Sequence, residues 1–342
     1  MNIILLLVVI ICLYKIKFAG KDFFDDYISK DQTNAINGLF VVLVFLRHFK
    51  TYIEIDAGDM IFGKVDTLLG QLIVVSFLFY SGYGIMVSIN RNERGYITGF
   101  LFRRFFKVWY HFALAIVLFI IANIIIGQSY SIKDTVLAFT AWKSIGNSAW
   151  YVFAVLCLYM FVFVSFEMFG NHRYVSMIVI ILLCAVYIVV LHMLDRHNYW
   201  YNTIFTFPAG MLYGMHRETA ERIIQRSNAV YAIVLIYGVM LLGFLFIHRS
   251  QLVVYELMAL LFAIVLVVTT MKVKINNAAL AFLGKYTFEI YILQRIPMLI
   301  FSKMMGNKYL LLVVCFIVTV NMAIGFKAIT TKTDQLIYGK TK

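Results

Sequence analysis

The chain has 342 residues, of which 63% are hydrophobic and only 14% are charged, and its mean hydropathy is +0.87. No soluble domain buries that much apolar surface, so the composition excludes an ordinary soluble fold and predicts an all-α polytopic transmembrane helical bundle. The net charge of +13 is compatible with nucleic-acid binding. However, the basic residues lie mostly between apolar runs, which favours a membrane topology signal and no nucleic-acid partner.

The first predicted span covers residues 2–14. It lacks a basic start and a small-residue cleavage site, so we expect a retained membrane helix rather than a signal peptide. Three lysines follow it within seven residues, and the positive-inside rule therefore predicts that the N-terminus lies outside. Residues 21–32 would put apolar side chains on one side of a helix and acidic ones around the other, as in an interfacial segment. Residues 1–32 are thus expected to form an N-terminal helix with an interfacial stretch.

The second span, residues 33–52, opens on Asn34 and Asn37 and carries Arg47 and His48 far along its length. Ionisable side chains at membrane depth are costly, so they usually face a cavity or a pathway. The further predicted spans are 67–89, 109–127, 148–168, 174–192, 200–215, 229–247, 252–271, 285–302 and 309–326.

This map has about eleven spans, an outside N-terminus and a cytoplasmic C-terminus in the cell's inner (plasma) membrane. It puts about two-thirds of the 30 Lys and Arg residues on the inner side, and the most basic loop lies there too. Residues 33–327 are read as one membrane domain and 328–342 as a short cytoplasmic tail. Each cysteine stands alone in an apolar run, and the histidines show no metal-ligand spacing, so neither a disulfide nor a metal site is expected.

Five motifs follow one another over most of the chain. NGLFVVLVFLRHF ends next to His48, and LFYSGYGIM (78–86) contains a Ser-Gly-aromatic step. An Arg-rich loop, FLFRRFFKVWY (100–110), enters a helix, NSAWYVFAVLCLY (147–159) opens on Trp and an aromatic residue, and LGKYTFEIYILQRIP (283–297) comes last. In this order the five motifs resemble the membrane-bound acyltransferase 3 family. The sequence departs from the family pattern at Asn37, where a basic residue is usual, and at Gln294, where many members have His.

The resemblance implies an O-acyltransferase that moves an acyl group, most often acetyl, from cytoplasmic acetyl-CoA to a hydroxyl of an extracytoplasmic carbohydrate such as a capsule, exopolysaccharide or cell-wall glycan. His48 would be the general base, with a transient acyl-imidazole as a second option. Histidine suits either role because it can accept a proton near neutral pH. By helical rise, His48 lies about 21 Å from the inner end of its helix in a core about 30 Å thick, nearer the outer side. The alternative is a purely structural role, in which His48 is a buried histidine hydrogen-bonded to a carbonyl.

Arg103, Arg104 and Lys107 would meet the donor's phosphates at the inner mouth, unless they are only positive-inside anchors. Arg295, about 15 Å up its helix beside Gln294, is a candidate to stabilise the oxyanion or a donor phosphate. If a carboxylate orients the imidazole, depth favours Glu256 over Glu289, which would better pair with Arg103, Arg104 or Lys285.

The remaining site predictions concern the acceptor and the donor's arm. Trp150 and Tyr151, with NYWYN (198–202), would stack a sugar, although interface anchoring explains such rings equally. Asn37 and Gln294 are further substrate-binding candidates. Ser81 and Gly82 belong to a small-residue patch that suits either helix packing or close approach of the pantetheine arm. Pro208, Gly210 and Gly214 indicate a kink and a tight packing face.

Two other classes of protein remain open on the sequence alone. A transporter or flippase of lipid-linked saccharides would also need buried charges in a many-span bundle, but no repeats or paired broken helices are evident. An O-antigen polymerase would need a long Arg-rich outer loop, which the map lacks. The identity of the acceptor, the acyl length, an acyl-enzyme relay and homo-oligomer formation are not decided by the sequence.

Overall fold

The computed structural model describes residues 1–170 and 172–339. Its α-helices are α1 (Asn2–Leu13), α2 (Lys30–Phe49), α3 (Met60–Leu69), α4 (Val75–Arg91), α5 (Glu93–Thr98), α6 (Lys107–Ile125), α7 (Ile132–Phe139), α8 (Trp150–Phe169), α9 (Arg173–Met193), α10 (Thr206–Ile224), α11 (Asn228–Ile247), α12 (Leu252–Thr270), α13 (Ala278–Gly284), α14 (Thr287–Leu293), α15 (Arg295–Phe301) and α16 (Lys308–Tyr338). Two short strands, β1 (Lys17–Phe18) and β2 (Val273–Lys274), pair antiparallel.

The predicted all-α membrane bundle is confirmed. Within the described residues, seven helical stretches are long and apolar enough to cross a membrane: Ala57–Arg91, Leu101–Ile125, Trp150–Phe169, Arg173–Met193, Asn228–Ile247, Leu252–Thr270 and Lys308–Ile337. The other predicted spans fall on α1, α2, α10 and the pair α14–α15, which are shorter or carry more polar residues. The count of about eleven spans therefore stays a prediction.

The segment before α2 is built differently from the interfacial helix expected over residues 21–32. Residues 25–28 form turns, and the helix begins only at Lys30, where the Ser29 hydroxyl caps it by accepting from the Gln32 N–H. Tyr27 is fully buried and hydrogen-bonds to Tyr213 on α10. This segment thus docks on the bundle through its aromatic rings instead of lying free at the membrane interface.

The C-terminal helix is longer than predicted. The sequence suggested a span ending at residue 326 and a tail from 328, but α16 continues to Tyr338. No proline or glycine interrupts it after Gly325, and Asp334 near its end accepts a hydrogen bond from Tyr110 on α6 at 2.6 Å. Most of the predicted tail is therefore part of the bundle, and residues 340–342 lie outside the described part of the chain.

Two glycine pairs bring helix backbones into direct contact. A Cβ at Gly82 would lie 2.1 Å from the Phe207 carbonyl oxygen, and one at Gly210 would lie 2.0 Å from that of Phe79, so α4 and α10 meet through glycine. In the same way, a Cβ at Gly38 would lie 1.8 Å from the Leu280 oxygen and one at Gly284 would lie 1.8 Å from the Asn34 oxygen, so α2 and α13 also meet through glycine. Such close approach gains van der Waals contact between helices in a membrane, where apolar burial alone drives little association.

Candidate active site

A cavity of about 600 Å³ lies between α2, α4, α6, α8, α14 and α16. Its wall includes residues from the start of α2, from the basic loop and from α16, all of which the sequence assigned to the cytoplasmic side. Six of the predicted site residues line it: Asn37, Ser81, Arg103, Arg104, Lys107 and Tyr151. The fold thus brings together side chains that are far apart in the chain.

Basic side chains outnumber acidic ones around this cavity. The predicted trio is joined by Lys30 and Lys327, against Glu289 and Asp334. Arg103 and Arg104 lie in a π-helical segment, Leu101–Phe106, that leads into α6, and π segments of this kind occur frequently at functional sites. The excess of cations makes the cavity suited to an anionic ligand.

The two arginines differ in how firmly they are held. Arg104 is half-buried, and its Nε donates to the Tyr96 hydroxyl at 2.9 Å. Arg103 is exposed and donates to the backbone oxygens of Gly95 and Gly99 at 3.0 and 3.3 Å. Arg104 is therefore the more preorganised of the two, because the cost of ordering its side chain is already met in the free protein.

The carboxylates of the cavity are engaged with its cations. Asp334 lies 2.6 Å from the Lys107 Nζ and 3.2 Å from the His111 Nε2. Glu289 pairs with Lys327 at 3.4 Å, and not with Arg103, Arg104 or Lys285 as the sequence suggested. That prediction was wrong because it took α16 to end at 326, which left Lys327 out of the bundle.

Two polar atoms of α2 in the cavity wall lack partners. The Asn34 Nδ2 and Asn37 Oδ1 atoms are buried and make no hydrogen bond with any residue that the structure describes. The two side chains are three residues apart, so they lie on the same face of the helix. Ser81 is bonded to the Tyr159 hydroxyl at 3.2 Å. A ligand with amide groups could satisfy the two asparagines, since each offers both a donor and an acceptor.

Two tyrosines end the cavity on the side of His48. The rings of Tyr151 and Tyr291 both line it and lie 5.1 Å apart between centroids. The His48 ring lies 6.1 Å from the Tyr291 ring, although His48 itself does not line the cavity. One aromatic layer therefore separates the basic cavity from the imidazole.

The imidazole of His48 has a serine partner that the sequence did not single out. The Ser148 Oγ lies 3.1 Å from the His48 Nε2. The His48 Nδ1 and Gln294 Oε1 atoms are both buried without a standard hydrogen bond in the described chain, and the Gln294 side chain interacts with the ring. If Nδ1 carries the proton, it can donate to Gln294, and Nε2 is left free to accept from Ser148.

A tight loop holds Ser148 in place before α8. Asn147 accepts from the Ile145 N–H at 2.9 Å, and the Ile145 carbonyl accepts from Asn123 on α6 at 2.7 Å. Gly146 has a φ of +105°, which residues with a Cβ rarely adopt. From sequence, a serine two positions before a helix resembles a capping residue, so only the tertiary structure reveals its contact with His48.

Of the two residues predicted to act on the imidazole, Arg295 interacts with it and Glu256 does not. Arg295 is close enough to His48 to interact electrostatically with it, and its Nε donates to the Tyr52 hydroxyl at 3.0 Å. Glu256 makes no hydrogen bond to His48. Its Oε1 instead accepts from the Ile204 N–H at 3.2 Å, at the irregular turn before α10. Depth along the helix was a misleading guide, because the buried N–H groups of that turn also need an acceptor, and the Glu256 carboxylate supplies it.

The side chains of Trp150 and Tyr151 face different parts of the structure, as adjacent residues on a helix do. Tyr151 faces the basic cavity, whereas the Trp150 ring lies 5.8 Å from that of Tyr199, on which His197 stacks at 5.4 Å. Tyr199 and His197 also line a second, open cavity of about 470 Å³. Gly82, which packs against Phe207, is not among the residues that line the basic cavity.

Comparison with known proteins identifies the family of the chain. The family model described as an acyltransferase domain, that of the acyltransferase 3 family, matches residues 33–326. No curated protein and no solved structure gives a significant match. The matched region contains His48, the arginines of the basic cavity and Gln294, and it leaves out α1 and the end of α16. The chain therefore belongs to the acyltransferase 3 family and is a multi-pass membrane acyltransferase.

Proposed function

We propose that this acyltransferase moves an acetyl group from acetyl-CoA, bound from the cytoplasm, to a hydroxyl of an extracytoplasmic carbohydrate at the plasma membrane. The observation that carries the proposal is the basic cavity: it starts among Arg103, Arg104 and Lys107 and ends at the Tyr151–Tyr291 layer that contacts His48. A donor with a charged head and a long neutral arm matches a cavity with this order of side chains.

The donor's phosphates suit the cations of the cavity. Arginine binds phosphate through two parallel hydrogen bonds, and lysine adds a point charge. Arg104 is already held by Tyr96, and Lys107 would exchange its contact with Asp334 for one with a phosphate. The pantetheine arm carries two amides, and the unpartnered Asn34 and Asn37 atoms offer them hydrogen bonds.

The chemistry requires a base and a group that stabilises negative charge. In the proposal, His48 takes the proton of the attacking hydroxyl at Nε2, while Gln294 orients the ring from the Nδ1 side. Arg295 stabilises the oxyanion, because it interacts electrostatically with the imidazole and is already positioned by Tyr52. Trp150 and Tyr199 would stack on the acceptor sugar.

The test uses everted membrane vesicles of cells that express the protein, with acetyl-CoA labelled in the acetyl group added outside. The proposal expects label in envelope carbohydrate, at several times the level of vesicles that lack the protein. Label in no carbohydrate, together with passage of an unmodified lipid-linked saccharide across the vesicle membrane, would instead support the flippase alternative and overturn the proposal.

A further inference from the structure

We propose that Ser148 is an acyl-carrying nucleophile, so that the acyl group passes through a serine ester before it reaches the acceptor. This inference rests on the proposed function and adds a catalytic residue and an intermediate to it. The observation behind it is the 3.1 Å contact between Ser148 Oγ and His48 Nε2, which is the arrangement that turns a weak serine hydroxyl into a nucleophile.

Serine–histidine dyads of this kind usually include a third residue that orients the histidine. A histidine acts as a base on serine when its other nitrogen is held by a hydrogen-bond acceptor, which fixes the tautomer; an amide oxygen can fill that role. Gln294 Oε1 is buried, without a standard partner in the described chain, on a side chain that interacts with the imidazole. In this proposal Gln294 therefore orients His48, which in turn activates Ser148, and Arg295 interacts electrostatically with the same imidazole.

The position of Ser148 also suits a relay. Tyr151, Val152, Val155 and Tyr159 line the basic cavity from α8, and Ser148 lies one turn before Tyr151 on that face, because Ala149 already has helical backbone angles. Ser148 and His48 do not line the cavity, yet both keep part of their surface exposed. The proposal therefore requires the thioester to pass the Tyr151–Tyr291 layer to reach the dyad.

In the first step, the Ser148 Oγ attacks the thioester carbonyl and its proton moves to His48 Nε2. The carbon–sulfur bond breaks, the imidazolium returns the proton to the leaving thiolate, and CoA departs with a free thiol. In the second step, the acceptor hydroxyl attacks the serine ester and gives its proton to His48 Nε2. The ester bond to Ser148 breaks and the serine recovers that proton, so atoms and charge balance without a further reagent.

The relay predicts a reaction that direct transfer cannot perform. With acetyl-CoA and radiolabelled CoA but no carbohydrate, the purified protein in detergent should exchange label into acetyl-CoA, and a peptide containing Ser148 should gain an acetyl group in mass spectrometry. Ser148→Ala should lower the exchange by about 100-fold or more. Ser148→Cys should keep an acyl-enzyme, now a thioester that neutral hydroxylamine removes. Ser250→Ala, at an exposed serine elsewhere, is the matched control and should exchange like the wild type.

The outcomes separate this inference from the function on which it rests. If vesicles transfer label to carbohydrate but the purified wild type shows no exchange, transfer is direct and the relay is overturned while the function stands. If exchange persists in folded Ser148→Ala with the acetyl group on His48, an acyl-imidazole replaces the serine ester and the inference is likewise wrong. If neither transfer nor exchange occurs in the wild type, the proposed function itself fails.

Discussion

The Nε2 atom of His48, on α2, lies 3.1 Å from the hydroxyl oxygen of Ser148, a hundred residues later in the loop before α8. This contact joins two of the motifs by which the family is recognised. A third motif contributes Gln294, whose side chain interacts with the same imidazole. The proposed mechanism places the acyl transfer at this contact between α2 and the loop before α8.

The first prediction concerns the donor's phosphates. Arg104→Ala should weaken CoA binding by about 10- to 100-fold, because a charge-assisted hydrogen bond to phosphate contributes about 1.5–3 kcal/mol. Isothermal titration of the detergent-purified protein with CoA measures the change. Arg222→Ala, at an exposed arginine outside the cavity, should bind like the wild type. Equal affinities for the two variants would remove Arg104 from donor binding.

The second prediction concerns Asp334, whose carboxylate forms an ion pair with Lys107. Asp334→Asn should strengthen CoA binding by about 2- to 5-fold, since it frees a half-exposed lysine from an ion pair contributing about 0.2–1 kcal/mol. The gain should shrink as salt rises. The same titration tests it, with Glu218→Gln as the control at an exposed acidic residue. Weaker binding in Asp334→Asn would mean that its anchoring of α16 matters more than its charge.

The third prediction separates packing from donor binding at Gly82. Gly82→Ala should destabilise the protein by about 1–3 kcal/mol, because the new Cβ would lie 2.1 Å from the Phe207 carbonyl oxygen. Gly84→Ala, two residues on in the same helix, meets no atom within 4 Å and should be nearly neutral. Thermal unfolding in detergent compares the two. A stable Gly82→Ala variant with poor CoA binding would instead support a role of Gly82 in donor binding.

The fourth prediction concerns Glu256. Glu256→Gln keeps an oxygen that can accept from the Ile204 N–H, so acetyl transfer should stay within about threefold of the wild type. Glu256→Ala leaves that buried N–H without its partner and should cost about 1–3 kcal/mol of stability. Transfer rates and unfolding midpoints of both variants check this. A large loss of rate in a stable Glu256→Gln protein would restore its predicted role in orienting His48.

Much of the architecture could be predicted from the sequence, because apolar runs and the distribution of Lys and Arg report directly on a membrane bundle. The gathering of Asn37, Ser81, Arg103, Arg104 and Lys107 around one cavity also follows from their predicted depth and side.

The partners of each side chain could not be predicted in that way. Ser148 reaches His48 only because Asn123 and Asn147 hold the loop before α8. Asp334 and Lys327 reach the cavity only because α16 runs past the apolar part of its sequence, where hydropathy no longer indicates a helix. Contacts of this kind depend on tertiary packing, and the spacing of residues in the sequence does not predict them.

The measurement that tests the central claim most directly is acetyl transfer by His48→Ala. In vesicles with labelled acetyl-CoA, this variant should lose transfer by at least about 100-fold, since it removes the proposed base, while CoA binding stays unchanged. His248→Ala, at an exposed histidine after α11, should transfer like the wild type. Label reaching carbohydrate equally well in folded His48→Ala and in His248→Ala would contradict the account.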